Sequence, residues 1–160
     1  MQTHNEFFRR YYVSKTIEFT DTVFFIVRKK NNQISFLHVY HHASMAIITW
    51  GMLKYVPGPT TYIGPLCNCF IHTVMYLYYL LSALGPHMQP YLWWKRYLTR
   101  MQLVQFVVVF AFCAHLVRLG ASGPLLFFAY VKMVYMVTML VLFGNFYVQA
   151  YRNKKEKKVE

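Results

Sequence analysis

Charge is scarce in this chain, and negative charge is scarcest. Asp and Glu together number 5 among 160 residues, and all charged types make up 14%, against about a quarter in soluble domains. With 57% of residues hydrophobic and 19% aromatic, the shortage excludes an ordinary water-soluble domain; such a chain needs lipid around it. Cysteine is also sparse. Cys67, Cys69 and Cys113 all lie inside apolar stretches, which signals neither a zinc site nor a disulfide framework and makes them packing residues. No cleavable signal peptide is read at the front, because Met1 to Tyr12 is polar, aromatic and basic. The first crossing is therefore expected to serve as its own insertion signal, unless further sequence precedes it. Neither an internal repeat nor a low-complexity segment appears before the tail.

What is present is a series of apolar blocks near 20 residues long, the length that crosses a hydrocarbon core of about 30 Å. Five crossings are predicted, from Phe7 to Val27, Ile34 to Leu53, Tyr62 to Leu84, Tyr97 to Leu119 and Leu125 to Tyr147. Residues 31 to 53 hold no Lys, Arg, Asp or Glu, and neither does the stretch from Tyr55 to Trp94. Pro57-Gly58-Pro59, Gly85-Pro86 with Pro90, and Ser122-Gly123-Pro124 punctuate the blocks, since proline removes a helical donor and glycine permits turns. The expected fold is an all-α polytopic transmembrane helix bundle over residues 1–151, followed by a basic tail at 152–160.

The formal charge is +12, which could suggest nucleic acid, yet most basic residues sit in short clusters between or after the blocks. That pattern reads as membrane topology. Arg28, Lys29 and Lys30 join blocks one and two, Lys95, Arg96 and Arg100 join three and four, and the tail is basic. All three regions are expected on the cytosolic side. The opposite loops carry only Lys54 and Arg118, while Arg9 and Arg10 do not fit the pattern. The tail, Arg152-Asn-Lys-Lys-Glu-Lys-Lys-Val-Glu160, reads as a solvated end or an anionic-lipid contact. Lys157 and Lys158 in the fourth and third places from its end also look like a dilysine endoplasmic reticulum retrieval signal.

Chemistry concentrates in blocks two and three. His38, His41 and His42 are spaced i, i+3, i+4, so on a helix they share one face. Polar side chains inside a bilayer are costly unless satisfied, and intramembrane histidines face a protein interior or a wet cavity. The next block supplies Asn68, His72, Met75, Tyr76 and Tyr79, and its short connection predicts an antiparallel neighbour. At 1.5 Å per residue, His41 lies about 11 Å from the cytosolic start of its block and His72 about 18 Å from the cytosolic end of its own, close enough in depth to meet. Block one places Lys15, Glu18 and Asp21 at spacings of three. They are expected to pair with each other or with the histidines, Asp21 either orienting an imidazole or only fixing packing. Block four adds Thr99, Gln102 and Gln105 at the same spacing.

These residues resemble those of the eukaryotic elongation-of-very-long-chain fatty acid proteins, the membrane-embedded condensing enzymes. The resemblance rests on Lys15-Thr-Ile-Glu18-Phe-Thr-Asp21-Thr-Val-Phe-Phe, Gln33-Ile-Ser-Phe-Leu-His38-Val-Tyr-His41-His42, Asn68-Cys-Phe-Ile-His72-Thr-Val-Met75-Tyr76-Leu-Tyr-Tyr and Thr99-Arg-Met-Gln102-Leu-Val-Gln105-Phe. The four motifs come in the family's order and span nearly the whole chain. Tyr91-Leu-Trp-Trp-Lys95-Arg96-Tyr-Leu-Thr99 is similar to members acting on polyunsaturated and very long chains. Family members have seven crossings, so the resemblance implies that the chain aligns from just before the third and lacks about two.

The resemblance implies condensation of a long-chain or very-long-chain acyl-CoA with malonyl-CoA to a 3-oxoacyl-CoA, with release of CoA and carbon dioxide. No cofactor or metal is expected. The implied partners are the two CoA substrates, the lipid bilayer, a second copy and downstream enzymes of the elongation cycle, with no nucleic acid. The implied location is the endoplasmic reticulum membrane. A neutral buried imidazole can attack a thioester, and His41 is expected to do so opposite His72. His38 and His42 are expected as general acid or base and orienters, and Asn68 or Gln102 as donors to the oxyanion. Lys15, Glu18, Tyr76 and Gln105 are expected around the substrate. Arg28, Lys29, Lys30, Lys95 and Arg96 stand where CoA phosphates would enter, or serve only to set topology.

Two rivals fit parts of this pattern. Membrane di-iron desaturases and hydroxylases also use a His-x-x-His-His box, but they carry three boxes, and His4, His87 and His115 here are isolated. A non-catalytic membrane protein, as a partner of a full-length enzyme or a histidine-lined transporter, is the other.

Overall fold

In the computed structural model, residues 6–7, 9–18, 36–56, 58 and 61–152 are described. Helix α1 is seen over residues 9–18. It is followed by α2 (Phe36–Tyr55), α3 (Ile63–Ala83), α4 (Lys95–Arg118) and α5 (Gly123–Tyr147). The described residues form an all-α membrane bundle. The remainder of the first predicted crossing, with Asp21 and the Arg28-Lys29-Lys30 cluster, lies outside the described residues, as do Lys157 and Lys158.

The punctuation acts where it was read. α2 stops at Tyr55, two residues before Pro57. At Gly85 the backbone turns through φ 109°, a conformation that favours glycine. The chain then winds into a 3-10 helix, Pro86–Leu92, between the two blocks that these residues separate. A 3-10 turn suits the segment because Pro86 begins it, where the missing donor has no partner to lose. Ser122 is extended, and Gly123 with Pro124 starts α5. The last helix passes through a π-helical turn, Val148–Arg152, beyond its predicted end at Tyr147.

Among the described residues three helices are long and apolar enough to cross a membrane: α3, α4, and α5 extended to Ala150. α2 has the length, at 20 residues, but its three histidines and Lys54 dilute its apolar character. The outward faces carry large apolar side chains such as Ile47, Leu66, Phe70, Val104, Phe127 and Val141, all exposed, whereas Lys15, Asn68, Thr99 and Gln105 are buried. That inversion is what a hydrocarbon solvent selects, since a polar group costs more facing lipid than facing a neighbour.

Side-chain contacts fix the directions. α2 and α5 run antiparallel, since His41 meets Tyr135 while Tyr55 stacks on Phe128 at the other end. α4 and α5 are antiparallel too, with Arg96 bonded to Tyr147 and Phe106 against Phe143. α1 runs parallel to α3, since Phe7 meets Tyr62, Tyr11 bonds Asn68 and Glu18 approaches His72. α2 and α3 are antiparallel, as expected from their short connection, but α2 packs chiefly on α5. Gly51 permits the close approach: a Cβ there would stand 2.8 Å from the Phe128 ring, which would have to shift. The space left between α2 and α3 is a cavity.

Candidate active site

The i, i+3, i+4 histidines do project from neighbouring positions of α2, yet they do not form one uniform cluster. His41 turns inward, its Nδ1 2.7 Å from the Tyr135 hydroxyl of α5 and its ring centroid 6.3 Å from that of His72 on α3. His38 and His42 pair with each other at 4.4 Å, and His42 also lies edge-on to His41 at 5.4 Å. His41 therefore sits at a junction of three helices, with the other two rings flanking it.

α1 supplies the charged side of the site. Lys15 is only 3% exposed and donates to both carboxylate oxygens of Glu18, at 2.8 and 2.9 Å. A cation this deep is tolerable because its partner is bidentate and adjacent on the helix. Glu18 Oε1 also stands 3.4 Å from His72 Nδ1. That nitrogen is buried and, although within ion-pair range, makes no aligned hydrogen bond among the described residues. Glu18 thus occupies the place beside an imidazole that the sequence offered to Asp21. Lys15 is held by Glu18.

Tyr11 donates to Asn68 Oδ1 at 3.0 Å, which leaves the Asn68 amide N–H groups available as donors. Gln102 donates weakly to Met75 Sδ at 3.9 Å; one turn along α4, the buried Gln105 faces the cavity instead. Tyr76 is part exposed, its ring 6.1 Å from His72. Lys95 and Arg96 begin α4 at the helix ends away from the α2–α3 connection, and Arg96 and Arg100 both donate to the Tyr147 hydroxyl, at 2.9 and 3.2 Å.

A cavity of about 570 Å³, counting its open mouth, starts at His41, Tyr135, Tyr11 and Asn68. It runs between α2 and α3 past Met45, Ile48 and Pro65 to Met52 and Gly64. His41 to Met52 spans about 16 Å of helix axis. The arrangement places one imidazole, with a hydroxyl fixing one of its nitrogens, at the head of a long and mainly apolar slot. Among the described residues no group of three or more His, Cys, Asp or Glu is arranged to hold a metal ion.

Sequence reasoning missed Tyr135, Tyr11 and Lys132, all of which line this cavity. Tyr135 lies 94 positions from His41, and nothing local marks it among the chain's 14 tyrosines. Lys132 did carry a signal, as a single charge inside an otherwise uncharged 25-residue helix.

Comparison with known proteins adds to this geometry. The profile of the ELO family, GNS1/SUR4, matches residues 2–159. The chain is 50% identical over 151 residues to very long chain fatty acid elongase 2 of Mus musculus, covering 92% of this chain and 50% of that protein. It is 50% identical over 146 residues to very long chain fatty acid elongase 5 of Tachysurus fulvidraco, covering 90% of this chain and 48% of the relative. With very long chain fatty acid elongase 4 of Homo sapiens it shares 47% identity over 148 residues, 92% of this chain and 47% of the relative. The chain spans about half the length of the curated relatives it matches.

Proposed function

The chain belongs to the ELO (GNS1/SUR4) family, and from that premise we propose that it carries the acyl-transfer centre of a very long chain fatty acid elongase. The reaction is condensation of malonyl-CoA with a long-chain or very-long-chain acyl-CoA. The observation that carries the reading is His41 held between Tyr135 and His72 at the head of the apolar slot.

With Nδ1–H donating to the Tyr135 oxygen, the lone pair of His41 lies on Nε2, which attacks the thioester carbonyl. The C–S bond breaks and an acyl-imidazolium forms. Its Nδ1 proton, passed through the Tyr135 hydroxyl, neutralises the departing CoA thiolate. Decarboxylation of malonyl-CoA then leaves an enolate whose carbon attacks the neutral acyl-imidazole, forming the new C–C bond and expelling imidazolate, which takes a proton from water to restore the neutral ring. The Asn68 amide is the donor for the oxyanion of both steps, in a water-poor site where such donors act strongly. His72, His38 and His42 are the bases nearest to His41.

The CoA phosphates fall to Lys95, Arg96 and Arg100, where guanidinium forks suit phosphate. The acyl tail takes the slot between α2 and α3. We place the protein in the endoplasmic reticulum membrane with its basic clusters, residues 152–158 included, on the cytosolic side, on the strength of the charge pattern and of the family.

The test is a microsomal assay with labelled malonyl-CoA on this chain, on a version completed at its amino terminus from a relative, and on His41→Ala in each. Condensation that depends on His41 supports the proposal; undiminished condensation by the substituted, completed protein refutes the nucleophile. Incubation with acyl-CoA alone should leave an acyl group on His41, detected by mass spectrometry. Label on Cys67 or Cys69 instead would move the chemistry to a thiol.

A further inference from the structure

The slot does not end as an apolar groove would. A second cavity, of about 330 Å³, continues from the first, and the two share Met52, Gly64, Val109 and Lys132. Lys132 lies nine residues into α5, about 14 Å along the helix axis from its start and thus well inside the span. Its Nζ reaches across to α3, 3.8 Å from where a Gly64 side chain would begin. Among the described residues no carboxylate stands within ion-pair distance of it. Thr49 and Thr61, each 4% exposed, line the same region, one in each cavity. Thr61 donates its own hydroxyl proton to the Gly58 carbonyl at 2.8 Å, so toward the cavity its oxygen has lone pairs to offer.

A polar floor in a hydrocarbon slot penalises a methyl-ended chain, which would desolvate the amine and return nothing. It rewards a chain that brings an acceptor to that depth, because the new hydrogen bond satisfies the amine without water. We propose that Lys132, as the donor, forms with Thr49 and Thr61 beside it a binding site for an oxygen function at the far end of an ω-oxygenated acyl chain, a carboxylate bound through the amine or a hydroxyl that can also donate to Thr61. The inference rests on reading the slot as the acyl site. It concerns selection of the chain, with the chemistry at His41 unaffected.

Binding can be read without catalysis. The full chain, in nanodiscs and without malonyl-CoA, is titrated with acyl-CoA ending in a methyl, in an ω-hydroxyl or in an ω-carboxyl group, over a series of chain lengths, following thermal unfolding. At the matching length the oxygenated ligands should bind about tenfold more tightly than the methyl-ended one. Lys132→Met should abolish that difference and Lys132→Arg should retain it. His41→Ala should also retain it, so loss of condensation with the preference intact would count against the acyl-transfer reading alone. Equal affinity of the natural chain for all three ligands at every length, or a preference surviving in Lys132→Met, overturns the proposal.

A second measurement needs no variant. An ω-formyl acyl-CoA places an aldehyde at the same depth, where the amine adds and water leaves to give an imine, and borohydride reduces it to a stable secondary amine. Mass spectrometry should find that adduct on Lys132. Modification confined to Lys54, Lys95 or the tail lysines would overturn the proposal.

Discussion

α4 and α5 are built differently from α2 and α3. Where α4 and α5 meet, Phe106, Val109, Cys113, Ala129, Met136 and Met139 interlock as a continuous apolar core, with Met139 fully buried. α2 and α3 keep apart, and what they bury toward one another includes Thr49 and Asn68 alongside the inward-turned His41. Without a hydrophobic drive between helices in lipid, close van der Waals packing holds a bundle together. One helix pair supplies that packing, and the other is thereby free to enclose space. Tyr135 stands on the border, counted in the apolar core yet bonded to His41.

If that division of labour is right, substitutions on the two sides should fail in different ways. The largest effect is expected at His41. Replacement by alanine in the completed protein should lower condensation by ~10³-fold or more, as loss of a nucleophile does, with little change in thermal midpoint. Asn68→Ala should cost about 10²-fold, the usual toll for removing an oxyanion donor. Steady-state rates with labelled malonyl-CoA measure both. A matching loss of thermal stability in either variant would show that the site side also carries packing.

Met139→Ala tests the other side. Removing a fully buried methionine should cost about 2–5 kcal/mol through lost contacts and the cavity left behind. The reading is the midpoint of thermal unfolding in detergent. Protein that survives folding should retain its affinity for acyl-CoA, since Met139 does not line the slot.

The same division governs what the sequence disclosed. Helix positions were legible because prolines and glycines cut long apolar runs, and α3, α4 and α5 fall within a few residues of their predicted limits. His38, His41 and His42 were legible because polar residues in a charge-free span stand out. Partners were not. Nothing in the order of residues says that Tyr135, and not a tyrosine of α3, meets His41, or that Gly51 lets α2 approach Phe128. Those choices come from how helices pack in three dimensions, and they decide which histidine turns inward. Glu18 illustrates the point on a smaller scale: three residues separate it from Asp21 on the same predicted face, and the described half of α1 brings Glu18 to His72.

Tyr135→Phe probes the border itself. The ring stays, so the apolar core keeps its shape, while His41 Nδ1 loses its hydroxyl partner. A single neutral hydrogen bond is worth about 1 kcal/mol, so kcat for condensation should fall roughly five- to tenfold with the thermal midpoint nearly unchanged. An effect as large as that of His41→Ala would show that no water or neighbouring histidine can replace the Tyr135 hydroxyl in carrying the Nδ1 proton; no effect at all would leave His41 oriented by packing alone.

The smallest effect is expected where both kinds of packing give out, at the paired guanidinium groups of Arg96 and Arg100. Both are exposed and share the Tyr147 hydroxyl, which ties the start of α4 to the end of α5 and fans two cations out where a CoA headgroup would approach. Exposed charge pairs are weakened by water and salt. Arg96→Gln should therefore raise KM for acyl-CoA about three- to fivefold with kcat unchanged, and the increase should shrink as ionic strength rises. A Tyr147→Phe variant distinguishes headgroup binding from helix tethering, because it releases both arginines without removing their charge. If Tyr147→Phe lowers the thermal midpoint and Arg96→Gln leaves KM untouched, the arginines belong with α4 and α5 as scaffold. If KM responds to charge alone, the functional half of the molecule extends from the slot to the membrane surface.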